Sequence, residues 1–395
     1  TSAMAAGASA MAAFKTAQVL IDVSDPDVGC EMEELVLRRG YPIERHRVVT
    51  DDGYVLGVFR IPHGRTESGN TKNKPVVLLQ HGVLDSSLAF AANFHDQSLA
   101  YILADAGYDV WMGNNRGNRY SRGHMFASPL STHFWNFSWA DMGEHDLPAE
   151  VDYILEHTGK QRLAYVGHSE GSIQAFAALS TNEALSAKIS VLVAMAPVAY
   201  VDHQRVLFLK AAQVLGVDKL LQILGDGLLY LNTQTATAIQ PISCRAMSSG
   251  CGFVMEVFAG KSDHLNQSRI HVYSTMFPAG TSTKNLRHWA MGIRTKTFSK
   301  YDYGSNWENT LHYGAPNPPE FNLSKITVPT ALFSGGHDAM ADPEDVQRLK
   351  NEMAPGVVFK SLEVKTYGHL DFILAQDANK LLYPEVLEAI RTHSS

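Results

Sequence analysis

Cysteine is scarce: the chain of 395 residues has three, Cys30, Cys244 and Cys251. That count excludes a small disulfide-stapled scaffold, so stability has to come from a buried apolar core. Charge is sparse too, at 18% of residues against 45% hydrophobic, with 33 basic and 40 acidic side chains leaving a net charge of −7. An acidic balance disfavours nucleic acid and anionic membranes as general partners. No run of about 20 apolar residues is present, so no transmembrane segment is expected. The longest apolar stretch, Val206 to Leu231, is interrupted by Lys210, Asp218, Lys219 and Asp226. Neither H-E-x-x-H nor a paired C-x-x-C occurs, which argues against a metal site, and nothing points to an organic cofactor. Thr1–Phe14 lacks the basic region of a signal peptide; it reads as a processed end outside the fold.

What is present begins with Gly167-His168-Ser169-Glu170-Gly171, a G-x-S-x-G pattern. The apolar run Leu163–Val166 precedes it and the Ala-rich, helix-compatible stretch Ser172–Asn182 follows. A serine on such a strand-to-helix turn is held in a strained conformation with its hydroxyl above the sheet edge. The helix N-terminus behind it offers backbone N–H groups and the positive dipole end. A nucleophile elbow is therefore expected, with Ser169 as nucleophile.

Strand-like runs alternate with helical segments through the first two hundred residues, which predicts a mostly parallel sheet with helices on both faces. Arg45–Val49 and Val55–Ile61 read as a hairpin around Thr50-Asp51-Asp52-Gly53; Val76–Leu79, Asp109–Met112, Leu163–Gly167 and Ile189–Met195 follow as strands. Helices are expected over Phe90–Ala106, Asp146–Glu156 and Ser169–Leu179. From about Tyr200 to Asn322 the alternation stops, then sheet character returns at Thr330–Ser334 and Val358–Glu363, before a closing helix over Pro384–Thr392. The organisation expected is an N-terminal, partly mobile segment (1–39), an α/β core (40–199 and 325–395), and an inserted helical cap (200–324).

A serine nucleophile needs a base to take its proton and a group to orient that base. Asp338 stands just past the strand Thr330–Ser334, and His369 just past Val358–Glu363. The chain order Ser, acid, His on successive strand ends assigns His369 as general base and Asp338 as its orienting carboxylate. Nearby rivals read as structural: Asp342, before Pro343, as a helix N-cap, and Asp371 as a hydrogen-bonding carboxylate. His168 and His337 read as packing or loop residues. An oxyanion hole requires two backbone donors. Glu170 supplies the first, and Val83, in the turn Gln80-His81-Gly82-Val83-Leu84, is assigned the second, with Leu84 as fallback. Losing one such donor typically costs on the order of 10²–10³ in rate.

These stretches, with Gly40-Tyr41-Pro42, Thr50-Asp51-Asp52-Gly53-Tyr54-Val55-Leu56, Gly113-Asn114-Asn115-Arg116-Gly117-Asn118, Ala196-Pro197-Val198-Ala199 and Pro278-Ala279-Gly280-Thr281-Ser282, resemble the acid lipase family of gastric and lysosomal acid lipases. The resemblance runs from about Gly40 to Ala389. It implies an α/β-hydrolase fold, a cap with a movable lid, and hydrolysis of triacylglycerols or sterol esters at a transient lipid–water interface. One departure stands out: the family usually carries Gln after the nucleophile, and this chain carries Glu170. An ionised carboxylate about 5 Å from an oxyanion costs on the order of 3 kcal/mol at an effective dielectric of about 20. The side chain must therefore point away or be neutral at the working pH, and a bias toward acidic pH is expected.

Cys244 and Cys251 lie close enough in sequence to close a small loop, worth about 2.5 kcal/mol by chain entropy if unstrained. The family's disulfide in this part of the cap supports that pairing, and Cys30 is left free. Three N-x-S/T sequons, at Asn136, Asn266 and Asn322, are glycosylation candidates. With the disulfide they point to the secretory route, secreted or lysosomal/vacuolar. The Leu- and Val-rich stretch Val206–Leu231 reads as lid helices or as ordinary cap core, and the resemblance favours the lid. A carboxylesterase or thioesterase for soluble acyl substrates is the alternative reading, since the same triad serves any acyl transfer.

Overall fold

A nine-stranded mixed sheet organises the computed structural model, which describes residues 25–67, 73–206 and 262–393. The strands are β1 (Glu44–Val49), β2 (Tyr54–Ile61), β3 (Val76–Gln80), β4 (Asp109–Met112), β5 (Gly123–His124), β6 (Leu163–His168), β7 (Ile189–Met195), β8 (Thr330–Gly335) and β9 (Val358–Val364). Their order is β1-β2-β4-β3-β6-β7-β8-β9, with β5 paired to β2. From β4 to β9 all neighbours run parallel, while β1 and β2 form an antiparallel hairpin at one edge. The hairpin turns where Gly53 N–H donates to Thr50 O (3.0 Å) and Tyr54 N–H to Thr50 Oγ1 (2.9 Å).

The central strands are apolar because both faces are covered. Every residue of β3, β4, β6, β7 and β8 is buried. The edge strand β9 alternates instead between half-buried and exposed positions, and its Lys360 pairs with Glu385 (2.5 Å) and Glu388. A charged lysine on an edge discourages pairing with another chain. Parallel register aligns the carboxyl ends of the strands. Gln80 lies opposite Gly167, His168 opposite Met195, Met195 opposite Phe333, and Gly335 opposite Val364. The loops that leave those ends are thereby brought to one rim of the sheet, where ligands bind in folds of this kind.

The covering helices include α1 (Met32–Arg38), α2 (Leu99–Asp105), α3 (Leu147–Thr158) and α4 (Glu170–Thr181). Residues 32–38 fall in the segment that the sequence reading set apart from the core, yet Met32, Leu35 and Val36 are fully buried within it. The single helix expected over Phe90–Ala106 is divided. Ser87–Phe90 is a 3₁₀ turn, and α2 starts only at Leu99. Between them Asn93 donates from its backbone to Ser98 Oγ (3.0 Å) and from its side chain to Leu374 O (3.0 Å). These bonds compete with helical ones and win. Ahead of α3, Met142–Asp146 forms a π-helical turn that joins Trp139–Asp141 to it.

Among the described residues no strand lies between Met195 and Thr330. The described part of that insertion holds α5 (Ile270–Met276), α6 (Thr283–Thr295) and α7 (Asn306–Tyr313). It is tied down by buried Arg269, which bonds Asp25 (3.0 Å) and Asp27 (2.6 Å), and by a Tyr273–Asn93 hydrogen bond. After β8 come α8 (Pro343–Glu352) and, closing the chain, α9 (Tyr383–His393). No helix among the described residues is long and apolar enough to cross a membrane. Thr1–Phe14, the proposed lid from Leu207 to Leu231, and the Cys244–Cys251 pair lie outside the described residues.

Candidate active site

Ser169 ends β6 and starts α4 at φ +53° and ψ −115°, a backbone region an L-residue seldom adopts. Two glycines make the turn feasible. A Cβ on Gly167 would come within 2.5 Å of Gly171 O, and one on Gly171 within 2.3 Å of Gln80 O. Neither position can carry a side chain without moving backbone. The strand, the turn and the helix therefore pack as closely as the G-x-S-x-G pattern predicts.

His369 follows β9 and places its Nε2 2.7 Å from Ser169 Oγ. Its Nδ1 lies 2.9 and 3.0 Å from the two oxygens of Asp338, which is fully buried after β8. Asp338 is held in turn by the N–H groups of Met340 (2.9 Å) and Ala341 (2.8 Å). With Nδ1–H donating to the carboxylate, Nε2 is left as the acceptor facing the serine hydroxyl. The structure thus brings Ser169, His369 and Asp338 together in a serine–histidine–carboxylate relay.

The rivals fall where the sequence reading put them. Asp342 accepts from Glu344 N–H (3.0 Å) and caps α8. Asp371 accepts from Gly368 N–H (2.6 Å) and from Ser262, which fixes the base loop. His168 is buried, and its Nε2 donates to His369 O (3.0 Å); burial, reinforced by His369, pulls its pKa down to about 3. His337 is exposed. His81 braces the turn after β3, with Nδ1 on Gly82 O (2.8 Å) and Nε2 accepting from Asn115 N–H (3.1 Å).

That turn packs against the nucleophile: a Cβ on Gly82 would sit 3.1 Å from Ser169 Cβ. Leu84 has φ +60°, and its carbonyl accepts from Ala279 N–H of the cap (2.6 Å). The N–H groups of Val83 and Glu170 meet no acceptor among the described residues. Both lie beside Ser169, on the two elements that the parallel register brings together.

Two further carboxyls border the site without a charged partner among the described residues. Asp85, just past the turn, accepts only from Ser86 N–H (2.7 Å) among the described residues, and burial pushes its pKa up to about 7. Glu170 is 1% exposed, and its Oε2 accepts from Asn285 Nδ2 (2.6 Å) and Trp289 Nε1 (2.7 Å) of α6. Burial raises Glu170 to about 7 against the opposing pull of these two donors. The side chain thus points away from Ser169 and into the cap. Asn285 and Asp85 were not singled out from sequence, because no local pattern marks them.

The sequons Asn136 and Asn322 are exposed, and Asn266 is half-buried. Cys30 is a buried free thiol. Among the described residues, three groups of His and carboxylates offer clustered ligand atoms: Glu44/His46/His157, Asp51/Asp52/His145 and Asp202/His203/Asp345. Each already has an arginine on one of its carboxylates: Arg60 on Glu44 (2.9 Å), Arg116 on Asp52 (2.6 Å), Arg348 on Asp202 (3.5 Å). A guanidinium at that distance competes directly with a metal ion.

Two family models match the chain: a partial α/β-hydrolase lipase region at residues 32–94 and the α/β-hydrolase fold at residues 75–376. Human gastric triacylglycerol lipase is 40% identical over 369 residues, 92% of each chain. Human lysosomal acid lipase/cholesteryl ester hydrolase is 38% identical over 379 residues, 93% of this chain and 92% of its own. Among solved structures, an epoxide hydrolase from Vigna radiata superposes with a TM-score of 0.52 at 17% identity, covering 89% of this chain and 98% of its own, a likeness of fold alone.

Proposed function

The chain belongs to the acid lipase family of α/β-hydrolases, and from that premise we propose that Ser169, His369 and Asp338 carry out ester hydrolysis through an acyl-enzyme. The protein is a lipase-type ester hydrolase acting on triacylglycerols, sterol esters or both, and it is secreted or lysosomal. The observation that carries the reading is the unbroken hydrogen-bond line from Asp338 through His369 to Ser169 Oγ, at 2.9 and 2.7 Å.

Ser169 Oγ attacks the ester carbonyl carbon while His369 Nε2 takes the hydroxyl proton. Asp338 keeps the ring in the correct tautomer and stabilises the imidazolium. The N–H groups of Val83 and Glu170 receive the oxyanion, aided by the N-terminus of α4. Collapse of the tetrahedral intermediate breaks the bond to the alcohol, which leaves with the proton from His369. Water then attacks the acyl-enzyme with His369 again as base, releasing the fatty acid and restoring Ser169.

The substrate is met at a lipid–water interface, and exposed apolar side chains on the loop after β5 suit that contact: Met125, Phe126 and Leu130 are 58%, 88% and 80% exposed. The cap, residues 200–324, holds the lid. The disulfide expected between Cys244 and Cys251 of the cap, and the glycans expected at Asn136 in the core and at Asn266 and Asn322 in the cap, fit a secreted or lysosomal enzyme.

The test is hydrolysis of a glyceride and cholesteryl ester series across each substrate's solubility limit, with Ser169→Ala as blank. A rate that rises steeply above the limit and falls by at least about 10³ in Ser169→Ala is expected. Equal rates in both proteins would remove the serine mechanism. A rate that saturates below the limit would instead favour an esterase for soluble acyl substrates.

A further inference from the structure

The Glu170 side chain joins two parts of the molecule that the reaction needs in register. Its backbone begins α4, directly after the nucleophile. Its Oε2 collects N–H donors from Asn285 and Trp289, one turn apart on α6. Asn285 continues the chain of contacts, since its Oδ1 accepts from Trp139 N–H (2.7 Å) and its Nδ2 also donates to Thr281 Oγ1 (3.0 Å). Trp139 in turn stacks on His288 of α6, ring centroids 4.1 Å apart. The carboxyl is therefore the core-side anchor of a polar seam between the nucleophile elbow and the cap helix.

Such an anchor needs only an oxygen acceptor, which a neutral acid or an amide provides as well as a carboxylate does. The charge state matters for a different reason. An ionised carboxylate one residue from Ser169 opposes negative charge building on the substrate oxygen, in a site where few countercharges are at hand. Among the described residues the contacts of the Glu170 carboxyl are the neutral donors Asn285 and Trp289, and no charged group contributes to its shift. Lys284 of α6 is turned to Tyr303 (3.4 Å) and Asp141 (4.0 Å). His288 donates to Ser299 O (2.9 Å), His168 to His369 O, and His369 is paired with Asp338. His81 and Asp85, from the turn after β3, are both buried; burial keeps His81 neutral and raises Asp85 to about 7, so neither offers a positive charge.

Resting on the serine-hydrolase reading above, we propose that Glu170 is a positioning residue whose protonation sets the alkaline limit of the reaction. With its proton on Oε1 it keeps the cap helix seated and leaves the oxyanion free of a neighbouring charge. Without that proton it keeps the seam but penalises the transition state. The structure supports a titration near neutrality, since burial raises the group to about 7. The reaction is thereby confined to acidic and neutral pH by a side chain that never touches the substrate.

The experiment compares pH–rate profiles of the full-length wild type, Glu170→Gln and Glu170→Ala on a soluble short-chain ester, from pH 4.5 to 9. Glutamine keeps an oxygen acceptor for Asn285 and Trp289 and has no charge to gain. The ratio of kcat in Glu170→Gln to wild type, normalised to its own value at pH 5, is expected to climb along a single-proton curve to about tenfold by pH 8. Asp85 is common to both proteins and cancels in the ratio. The effect is expected in kcat rather than KM, because the charge acts on the transition state. Glu170→Ala, which strands both donors, should raise KM at every pH while following the glutamine variant's pH dependence. A ratio that stays flat across the range overturns the proposal, even if Glu170→Ala is impaired, because that pattern is a structural latch alone. Labelling of Ser169 by a fluorophosphonate separates the two failures: a labelled enzyme with a flat ratio retires only the role of Glu170, whereas no labelling in any variant retires the serine mechanism beneath it.

Discussion

Gly171 shows how much a single residue can fix. It is chosen for what it lacks: an added Cβ would meet Gln80 O at 2.3 Å and Gln80 C at 2.9 Å, both backbone atoms of β3. Relief would require β3 and α4 to separate, which would shift the turn that follows Gln80 as well. Gly171→Ala is therefore expected to destabilise the fold by about 1–3 kcal/mol, the usual cost of overpacking a tight core. Its loss of kcat should be larger than that stability change would suggest, since the two oxyanion donors sit on the separating elements. Urea unfolding together with kcat on a soluble ester checks both parts, and a fully active, fully stable variant would show that the contact is not tight. The residues legible in the sequence share one property: Ser169, Asp338 and His369 each stand at the end of a periodic apolar run. Periodicity marks a strand, and the end of a strand marks the rim where the chemistry gathers. Asn285 and Asp85 have no such marker. Asn285 reaches its partner Glu170 across 115 positions of sequence, and buried Asp85 lines a cavity with Tyr273, Met276 and Phe277, nearly two hundred positions away.

At the scale of elements, all strands but the two-residue β5 were read to within a residue or so, because their apolar runs stand out. The helix expected over Phe90–Ala106 was not, because tertiary hydrogen bonds from Asn93 decide that segment, and no local propensity reports them. The cap helix α6 has a similar mixture of local and distant causes. Ser282 caps it by accepting from Asn285 N–H (2.9 Å), a signal visible in sequence, yet the same hydroxyl donates to Phe137 O of the core. One side chain thus both starts the helix and fixes where it starts. Ser282→Ala should cost about 1–2 kcal/mol through the lost cap and the orphaned carbonyl. Because Asn285 lies on the first turn, it should also raise KM more than it lowers kcat. Chemical denaturation and steady-state kinetics measure the two, and an unchanged KM at reduced stability would mean that the helix start does not govern how the cap meets substrate.

Over the whole molecule, buried ionisable groups make opposite demands on pH, and their balance predicts where the fold is most stable. Burial raises the carboxyls of Asp85 and Glu170 to about 7 and Asp371 to about 6, from ordinary values of 3.8 to 4.5, and lifts Glu150 well above its usual range. These acids keep their protons in the fold after the unfolded chain has lost them. Their contribution is complete below about pH 4, and that of Asp85, Glu170 and Asp371 disappears as pH rises through 6 to 7. Burial also lowers His81 to about 4 and His168 and His288 to about 3, from 6.5. These imidazoles stay neutral in the fold while the unfolded chain takes up protons, so their contribution is complete above about 6.5 and is lost as pH falls toward 3 to 4. Each of these displacements amounts to about 3–5 kcal/mol, so neither set is negligible. Between roughly pH 4.5 and 6 the two slopes oppose one another, with nearly equal numbers of groups on each side. Among these groups the acids dominate above that window and the imidazoles below it. Thermal unfolding should therefore give a broad maximum of Tm at mildly acidic pH, falling on both sides, which suits a secreted or lysosomal hydrolase. In Asp85→Asn/Glu170→Gln two of these four acids are removed, so the decline between pH 6 and 8.5 should become shallower while the acid limb is kept. A wild-type Tm that climbs steadily from pH 5 to 8.5, or an alkaline limb unchanged in the double variant, would mean that these carboxyls are not held neutral in the fold.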